Sequence, residues 1–335
     1  MAIPTDYLLK RLMQPRTARR SVTVLLMDPL ADVLDLSRVR GALLANVRAH
    51  TPWGLDLPSS TGASFHALTS GTAWLRIDGA EPLQLQPGDL LLFPTGVGHR
   101  LSSDVDGPCR PFDRRMKEEL MTPDGDLFLG RAPGAATTFV CAGYEYDLEV
   151  AEPLRRLLPP VIHLPANPDR GRDTAAIVQL LAAEVGARHP GARSAIARLI
   201  DLLLVVAIRR WSETRLDSPG ASWLTALHDP LVANVLGVIH ARPEEPWTLE
   251  VLAREAHVSR ATLARRFADA IGEPPLGYLA RWRMHVAAQR LKYTDDPVAT
   301  IAREVGYRSE YAFNRAFSRH CGHPPGRYRR IARAA

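Results

Sequence analysis

Two short runs carry the side chains best suited to act on another molecule. Arg260, Ala261, Ala264 and Arg265 stand in SRATLARRF, and Tyr311, Ala312, Asn314 and Arg315 stand in SEYAFNRAF. On helices, each set shares a face, opposite Leu263 and Phe267 in the first run and Phe313 and Phe317 in the second. Arg reads the guanine edge and Asn the adenine edge through paired hydrogen bonds, while alanine lets a helix approach closely. The chemistry implied is base-edge recognition, not bond-making. One such face alone would equally suit the solvated side of a protein-binding helical bundle.

The elements that position these faces occur twice. Leu252–Leu279 (LAREAHVSRATLARRFADAIGEPPLGYL) aligns with Ile301–Arg329 (IAREVGYRSEYAFNRAFSRHCGHPPGRYR). Ala253, Arg254 and Glu255 recur as Ala302, Arg303 and Glu304. After one extra residue, Ser259, Arg265, Phe267, Gly272, Pro274, Pro275 and Tyr278 recur as Ser309, Arg315, Phe317, Gly322, Pro324, Pro325 and Tyr328. A unit of roughly 50 residues used twice is a repeated supersecondary device. In the first copy Thr248 is a helix N-cap, His257-Val258 the turn and Ser259 the next N-cap, with Gly272 the stop and Pro274-Pro275 the following start. In the second, Pro297 opens a helix, Gly306-Tyr307-Arg308 turn the chain and Ser309 caps. Helix, tight turn, helix is the unit that places its second helix in the DNA major groove.

Charge agrees with that placement. From His228 onward lie 17 Arg and Lys against 11 Asp and Glu, out of 42 and 36 in the 335-residue chain. The whole net charge of +6 therefore sits in the repeat segment, as an electrostatic footprint on DNA requires. This partition disfavours a helical adaptor that binds only protein.

Residues from about Asp229 to Arg330 resemble the DNA-binding domain of the AraC/XylS transcription regulators, through the repeated A-R-E, the G-x-P-P stops and the P-G-R-Y-R ending. The resemblance implies seven helices bearing two helix-turn-helix units, joined by a long rigid helix from Pro275 to about Tyr293. It places base-reading positions on Ala261, Ala264 and Arg265, and on Tyr311, Ala312 and Arg315. The two alanines imply van der Waals contacts in the first unit, leaving the polar contacts there to Arg260 and Arg265.

The rest of the chain is patterned differently. Residues 1–20 are basic (Lys10, Arg11, Arg16, Arg19, Arg20) with little apolar order, which suits a flexible tail. DPLADVLDLSRV follows as a short amphipathic helix. From about Arg40 to Leu101, short apolar runs (ALLANV, WGLDL, FHAL, AWLRI, LQL, DLLLF, HRL) alternate with turn signals, the mark of a sandwich or small barrel. A long polar stretch, FDRRMKEELMTPDGD, is expected to be partly mobile, and TTFVCAGYEYDL supplies one more strand.

Gly88-x5-Pro94-Thr95-Gly96-Val97-Gly98-His99 fits the second cupin motif up to its histidine, with Ser103 where that motif has Asn. Of the first motif, His66 and Gly79 survive, but Leu68 stands in place of the second His and Thr72 in place of the Glu. Residues 21–150 thus resemble a cupin barrel, of the kind fused to AraC-type DNA-binding domains. Two imidazoles without the third His and the carboxylate are a poor divalent-metal site, and no motif carboxylate remains to act as a base. His66 and His99 are expected to line an effector pocket, with metal binding and a purely structural role as alternatives.

Residues 151–213 read as helical. EPLRRLLPP is a helix stopped by Pro159-Pro160. Thr174–Ala187 and Ala195–Trp211 are longer helices, apolar on more than one face. That surplus suits packing on the barrel and, from the resemblance, a homodimer seam. Residues 214–222, with Asp217-Ser218-Pro219-Gly220, form a linker, and 223–335 the DNA-reading domain.

Three cysteines without metal spacing suit a reducing compartment. No signal peptide is visible, and the most apolar stretch, LIDLLLVVAIRRW, is too short to span a bilayer. Cys109 has Arg110 beside it in sequence, which could lower its thiol pKa, so oxidant sensing is the minor alternative there to an ordinary thiol. Cys141 reads as buried and inert, and Cys321 ends the last reading helix.

The fold expected is α+β and multidomain: a small cupin-like β-barrel, a helical segment and an all-α double helix-turn-helix domain. The function expected is a cytoplasmic, non-enzymatic, cofactor-free transcription regulator. Its partners would be promoter DNA, an unidentified small-molecule effector, a second copy of itself and, if it activates, RNA polymerase, with no membrane. The alternative is a metal-dependent cupin enzyme fused to a DNA-binding module.

Overall fold

In a computed structural model, residues 28–36, 40–131, 134–145, 158–166, 172–187, 189–214 and 228–334 are described. The basic tail of residues 1–20, the helix expected over EPLRRLLPP up to residue 157, and the linker beyond Thr214 lie outside them. The chain divides into two compact units. Val33–Thr225 is one, and Ala226–Ala335 is the other, joined by the chain up to Asp32.

Helix α1 (Pro29–Leu36) straddles the division between the units, and the first unit then has eleven strands: β1 (Arg40–His50), β2 (Gly54–Leu57), β3 (Ala63–Ser70), β4 (Ala73–Arg76), β5 (Leu83–Leu85), β6 (Leu90–Phe93), β7 (His99–Ser102), β8 (Arg110–Pro111), β9 (Asp126–Leu129), β10 (Ala136–Glu145) and β11 (Ile162–Leu164). Between β8 and β9 lies α2 (Arg114–Leu120). The strands form a six-stranded sheet, β11-β6-β3-β10-β1-β9, and a five-stranded sheet, β5-β4-β7-β2-β8. Side chains alternate across each strand, and those facing inward from both sheets make one core, including Val47, Leu55, Leu75, Leu91, Phe93, Leu101 and Phe139. Every residue of β6 is buried: Leu91 and Phe93 join the core, and Leu90 and Leu92 are buried on the opposite face. A strand covered on both sides reads as an unbroken apolar run, as LLLF does.

What covers the second face is a helical hairpin, α3 (Arg172–Ala187) and α4 (Ala192–Thr214), packed on itself, with α4 also against β1 and β11 and α3 against β3. Its seat is specific. The Gly41 amide donates to Asp201 Oδ1 at 2.8 Å, and the Tyr144 hydroxyl donates to the Ile200 carbonyl at 2.8 Å. Packing on the barrel therefore accounts for Ile200, Leu203, Leu204, Ala207 and Ile208, all buried. It leaves Leu180 and Leu202 exposed, at 53% and 45%.

The polar stretch expected to be partly mobile packs into this unit. Asp113 caps α2 by accepting from the Met116 amide at 2.8 Å, Arg114–Glu118 and Arg115–Glu119 pair along the helix, and Met116 plugs the core. The following β9 lies parallel to β1. Two further strands escaped the sequence pattern: β8, which pairs parallel to β2, and β11, which lies within the segment read as helical and pairs with β6.

The second unit holds seven helices: α5 (Pro230–Ala241), α6 (Leu249–Glu255), α7 (Arg260–Ile271), α8 (Pro275–Tyr293), α9 (Val298–Glu304), α10 (Glu310–Cys321) and α11 (Pro325–Ala334). The sequence punctuation holds. Thr248, Ser259 and Ser309 accept from amides three residues on, and Gly272 and Gly322 stop α7 and α10 in the left-handed conformation. Among the described residues, no helix is long and apolar enough to cross a membrane.

The α4 seat is testable at Gly41, where an added Cβ would lie 2.0 Å from Ile200 Cγ2 and 3.0 Å from the Tyr144 ring. Neither neighbour is a flexible chain end. Gly41→Ala is expected to destabilise the protein by roughly 1–3 kcal/mol, as overpacking does, and to lower the melting temperature. An unchanged melting temperature would mean that α4 is not seated here.

Candidate DNA interface and sensor core

Helices α7 and α10 owe their orientation to burial. Leu263 and Phe267 of α7, and Phe313 and Phe317 of α10, are fully buried. The opposite faces then present Arg260, Ala261 and Arg265 on α7, and Tyr311, Ala312 and Arg315 on α10, all exposed, with Ala264 and Asn314 half-buried beside them. The structure thus brings each predicted set together on one face. Within the first set the two arginines differ. Arg260 is held by Glu250 of α6, whereas Arg265 has no ion-pair partner among the described residues. In the second set Arg315 lies 5.9 Å from the centre of the Tyr311 ring. Tyr311, 72% exposed, borders an open groove of about 640 Å3 together with Asn314, Arg315 and Arg319. Free guanidiniums and an unburied aromatic on a helix face suit base edges and phosphates better than they suit water alone.

In the barrel, β3 and β7 deliver His66 and His99 to the interior, where both are buried. Their Nε2 atoms are 2.8 Å apart, His99 Nδ1 is 2.9 Å from the Val97 carbonyl, and His66 Nδ1 is 2.9 Å from Cys141 Sγ. The carbonyl accepts only, which fixes every proton in the chain. His99 Nδ1–H donates to Val97, so His99 Nε2 accepts from His66 Nε2–H, and His66 Nδ1 accepts from the Cys141 thiol. The array is neutral and fully satisfied. Burial, then the neighbouring His99, hold the His66 pKa well below the usual imidazole value, and burial takes His99 down to about 4. Burial likewise pushes the Cys141 thiol up. His99 stacks on Phe93 with ring centres 3.7 Å apart. The space left beside His66 is a cavity of about 10 Å3, walled by Leu68, Ala73, Leu85 and Leu101 among others, enough for about one water.

Comparison with known proteins agrees with both halves. A cupin family model matches residues 28–213, and a helix-turn-helix domain model matches residues 252–331. An AraC-like transcription regulator of Streptomyces lividans is 34% identical over 313 residues, covering 91% of this chain and 98% of that one. The chain belongs to the AraC family of transcription regulators. Also similar are the HTH-type transcriptional regulator AlkR of Acinetobacter baylyi, at 28% identity over 90% of this chain and 99% of that one, and the RCS-specific activator RclR of Escherichia coli, at 29% over 92% and 99%.

The regulator's barrel does not fit the metal that cupin ancestry implies. His66 and His99 spend their Nε2 atoms on each other, and the third donor, Cys141 Sγ, lies at the opposite nitrogen of the His66 ring. Three donors on two sides of one imidazole do not converge on an ion. At the other motif positions Leu68 is a core side chain and Thr72 offers its carbonyl to Thr137. The relatives are transcription regulators, and the regulator is read as one of them rather than as an enzyme.

The minor alternative for Cys109, oxidant sensing, finds no support. Arg110 turns away to pair with Glu119, and burial raises the Cys109 thiol pKa against the opposing pull of Arg100. A raised pKa leaves less thiolate, the opposite of a sensing cysteine. Sequence reasoning also missed the Cys141–His66 contact, which depends on a distant strand register, and the Glu250–Arg260 pair, which depends on how α6 packs on α7. The first follows from β10 pairing with β3, which sets Cys141 opposite His66.

The neutral array makes stability depend on pH. His99 has a folded pKa of about 4, below the ordinary 6.5, so on acidification the unfolded chain takes up the proton first. The stabilisation is complete above the ordinary value and is lost progressively as pH falls towards about 4; a shift of this size is worth roughly 3 kcal/mol. His66 acts in the same direction. The melting temperature of the regulator is expected to fall from about pH 7.5 to about pH 5, and to fall less in His99→Phe. An identical slope in the variant would mean that other groups set the acid limit.

Proposed function

We propose that Arg265 and Arg315 are the principal base-reading residues of this regulator, one from each helix-turn-helix unit. The carrying observation is their common position, six residues beyond the caps Ser259 and Ser309, on exposed faces set by buried phenylalanines. Arg260, Ala261 and Ala264 complete the first reading surface, and Tyr311, Ala312 and Asn314 the second. Arg260, tethered to Glu250, serves as an orienting or phosphate contact, and the alanines give close approach. In this reading residues 223–335 bind promoter DNA and residues 214–222 are a linker. The helices within 151–213 pair two copies of the chain through the face that exposes Leu180 and Leu202. RNA polymerase is a further partner if the regulator activates, and the cytoplasm, where promoter DNA lies, is its place of work.

The sensor reading rests on the barrel core, residues 21–150. A cavity of about 10 Å3 holds no effector as it stands. A small polar or aromatic effector would enter by parting the His66–His99 bond, taking one imidazole as donor and the other as acceptor against the wall of Leu68 and Leu101.

Arg265→Ala and Arg315→Ala are each expected to cost roughly 1–3 kcal/mol on the preferred site and to relax preference at one base position. Binding titrations on randomised sites decide this: equal loss on all sequences would make that arginine a phosphate contact. For the sensor, replacing His66 and His99 together by leucine is expected to leave DNA binding intact and abolish induction of a promoter reporter in the native host. A double variant that still switches would place the effector site elsewhere.

A further inference from the structure

The two reading helices are useful together only if their separation and relative rotation are fixed. The close helix packing in this unit is either within one half or through α8, so α8 carries much of that task. It is about 28 Å long, at 1.5 Å for each of its 19 residues. Its beginning belongs to the first half, where Tyr278 meets Phe267 and Trp282 stacks on His240 at 3.7 Å. Its end belongs to the second, where Met284, Ala287, Ala288 and Leu291 share a core with Phe313 and Phe317. Two small cores on one helix still leave bending and torsion between them.

Arg283 stands at the changeover. Its Nε donates to the Pro243 carbonyl at 2.6 Å, and its Nη2 donates to the Glu245 carbonyl at 2.7 Å, both in the loop that leads into α6. The same guanidinium lies against the turn of the second unit. A Cβ at Gly306 would be 2.6 Å from Arg283 Nη2 and 2.8 Å from the Glu244 carbonyl, and the Tyr307 ring centre is 6.0 Å from Arg283 Cζ. Gly306 is held at φ +85°, in the turn that sets the cap of α10. One side chain thus ties the lead-in of the first helix-turn-helix unit to the turn of the second. Its partners are main-chain carbonyls, which cannot swing away as a carboxylate can. Burial lowers the Arg283 pKa, a cost that those carbonyls offset.

We infer that Arg283 is a positioning residue that fixes the spacing of the two reading helices, and so the spacing of the two DNA boxes the regulator accepts. This rests on the reading above, in which α7 and α10 both contact bases. Two reading modules on a rigid link bind as a bivalent unit, and loosening the link lowers the effective concentration of the second. Neither module's own affinity need change.

The test uses the full chain, its selected two-box DNA, the same DNA with either box scrambled, and the same DNA with one base pair inserted between the boxes. Arg283→Met removes the fork, and Arg283→Lys keeps the charge but only a point donor. Both variants are expected to bind scrambled-box DNA within about twofold of the parent, and to lose about tenfold or more on the two-box site. They are also expected to lose most of the penalty for the inserted base pair, which a merely structural residue would not change. Equal loss on all fragments, an unaltered insertion penalty, or two variants that no longer fold by circular dichroism would each overturn the inference. A parent protein indifferent to a scrambled box would instead sink the two-helix reading, and the inference with it.

Discussion

The burial of four side chains, Leu263, Phe267, Phe313 and Phe317, sets everything that the DNA-reading half does. Each is fully removed from solvent, and each large apolar side chain so placed is worth roughly 1.5–3 kcal/mol. The value of that burial is rotational as much as energetic. A helix carrying two buried residues four apart cannot turn about its axis without exposing one, so its opposite face is fixed too. Arg265 and Arg315 point outward because the phenylalanines two residues on point inward. The remaining devices, serine caps and left-handed glycines, fix where each helix begins and ends and so complete the placement.

The two halves handle charge in opposite ways. In the reader, cations sit on exposed faces, and Arg265 is left without an ion-pair partner among the described residues. In the barrel, two imidazoles and a thiol are buried, and burial would be costly unless every donor found an acceptor. They meet the condition by bonding head to tail and staying neutral, ending on the Val97 carbonyl. A neutral, satisfied array of this kind is stable only while every bond in it is kept.

What could be read from the sequence was what local pattern controls. The repeated punctuation of the helical half, the capping serines, and strands bounded by Pro-Gly or Asp-Gly turns were all legible, because each signal lies within a few residues of its effect. The unread parts depend on distant partners. Strands β8, β9 and β11 are two to four residues long and exist because β2, β1 and β6 offer edges to them. Met116 lies in a long polar stretch, yet it joins the core, with Phe112, Leu120 and Met121 packed against it. His66 and His99 could be named from their motif, but that they bond to each other follows from the registers of β3 and β7. The sequence suggested Arg110 as a partner for Cys109, but Arg110 pairs with Glu119 instead. Arg283 gave no signal, since a single Arg on a long helix has no periodicity to break.

The extra residue in the second copy shows how tightly the phase of the helix face is kept. Both turns close with the same bond, Val258 N–H to the Ala253 carbonyl at 3.0 Å and Tyr307 N–H to the Ala302 carbonyl at 2.8 Å. Both carry a left-handed residue just before it, His257 at φ 54° and Gly306 at φ 85°. The turns diverge only afterwards, where Arg308 is added ahead of the cap Ser309. From the cap onward the copies agree again, with eight residues from Ser259 to Phe267 and eight from Ser309 to Phe317. The insertion is therefore absorbed before the helix starts and cannot rotate its face. It changes only the approach to α10, the segment that Gly306 brings against Arg283 and where a side chain at that position would not fit. The second turn is thus shaped by contact with the rest of its own unit, while the exposed face of the helix that follows keeps the geometry of the first.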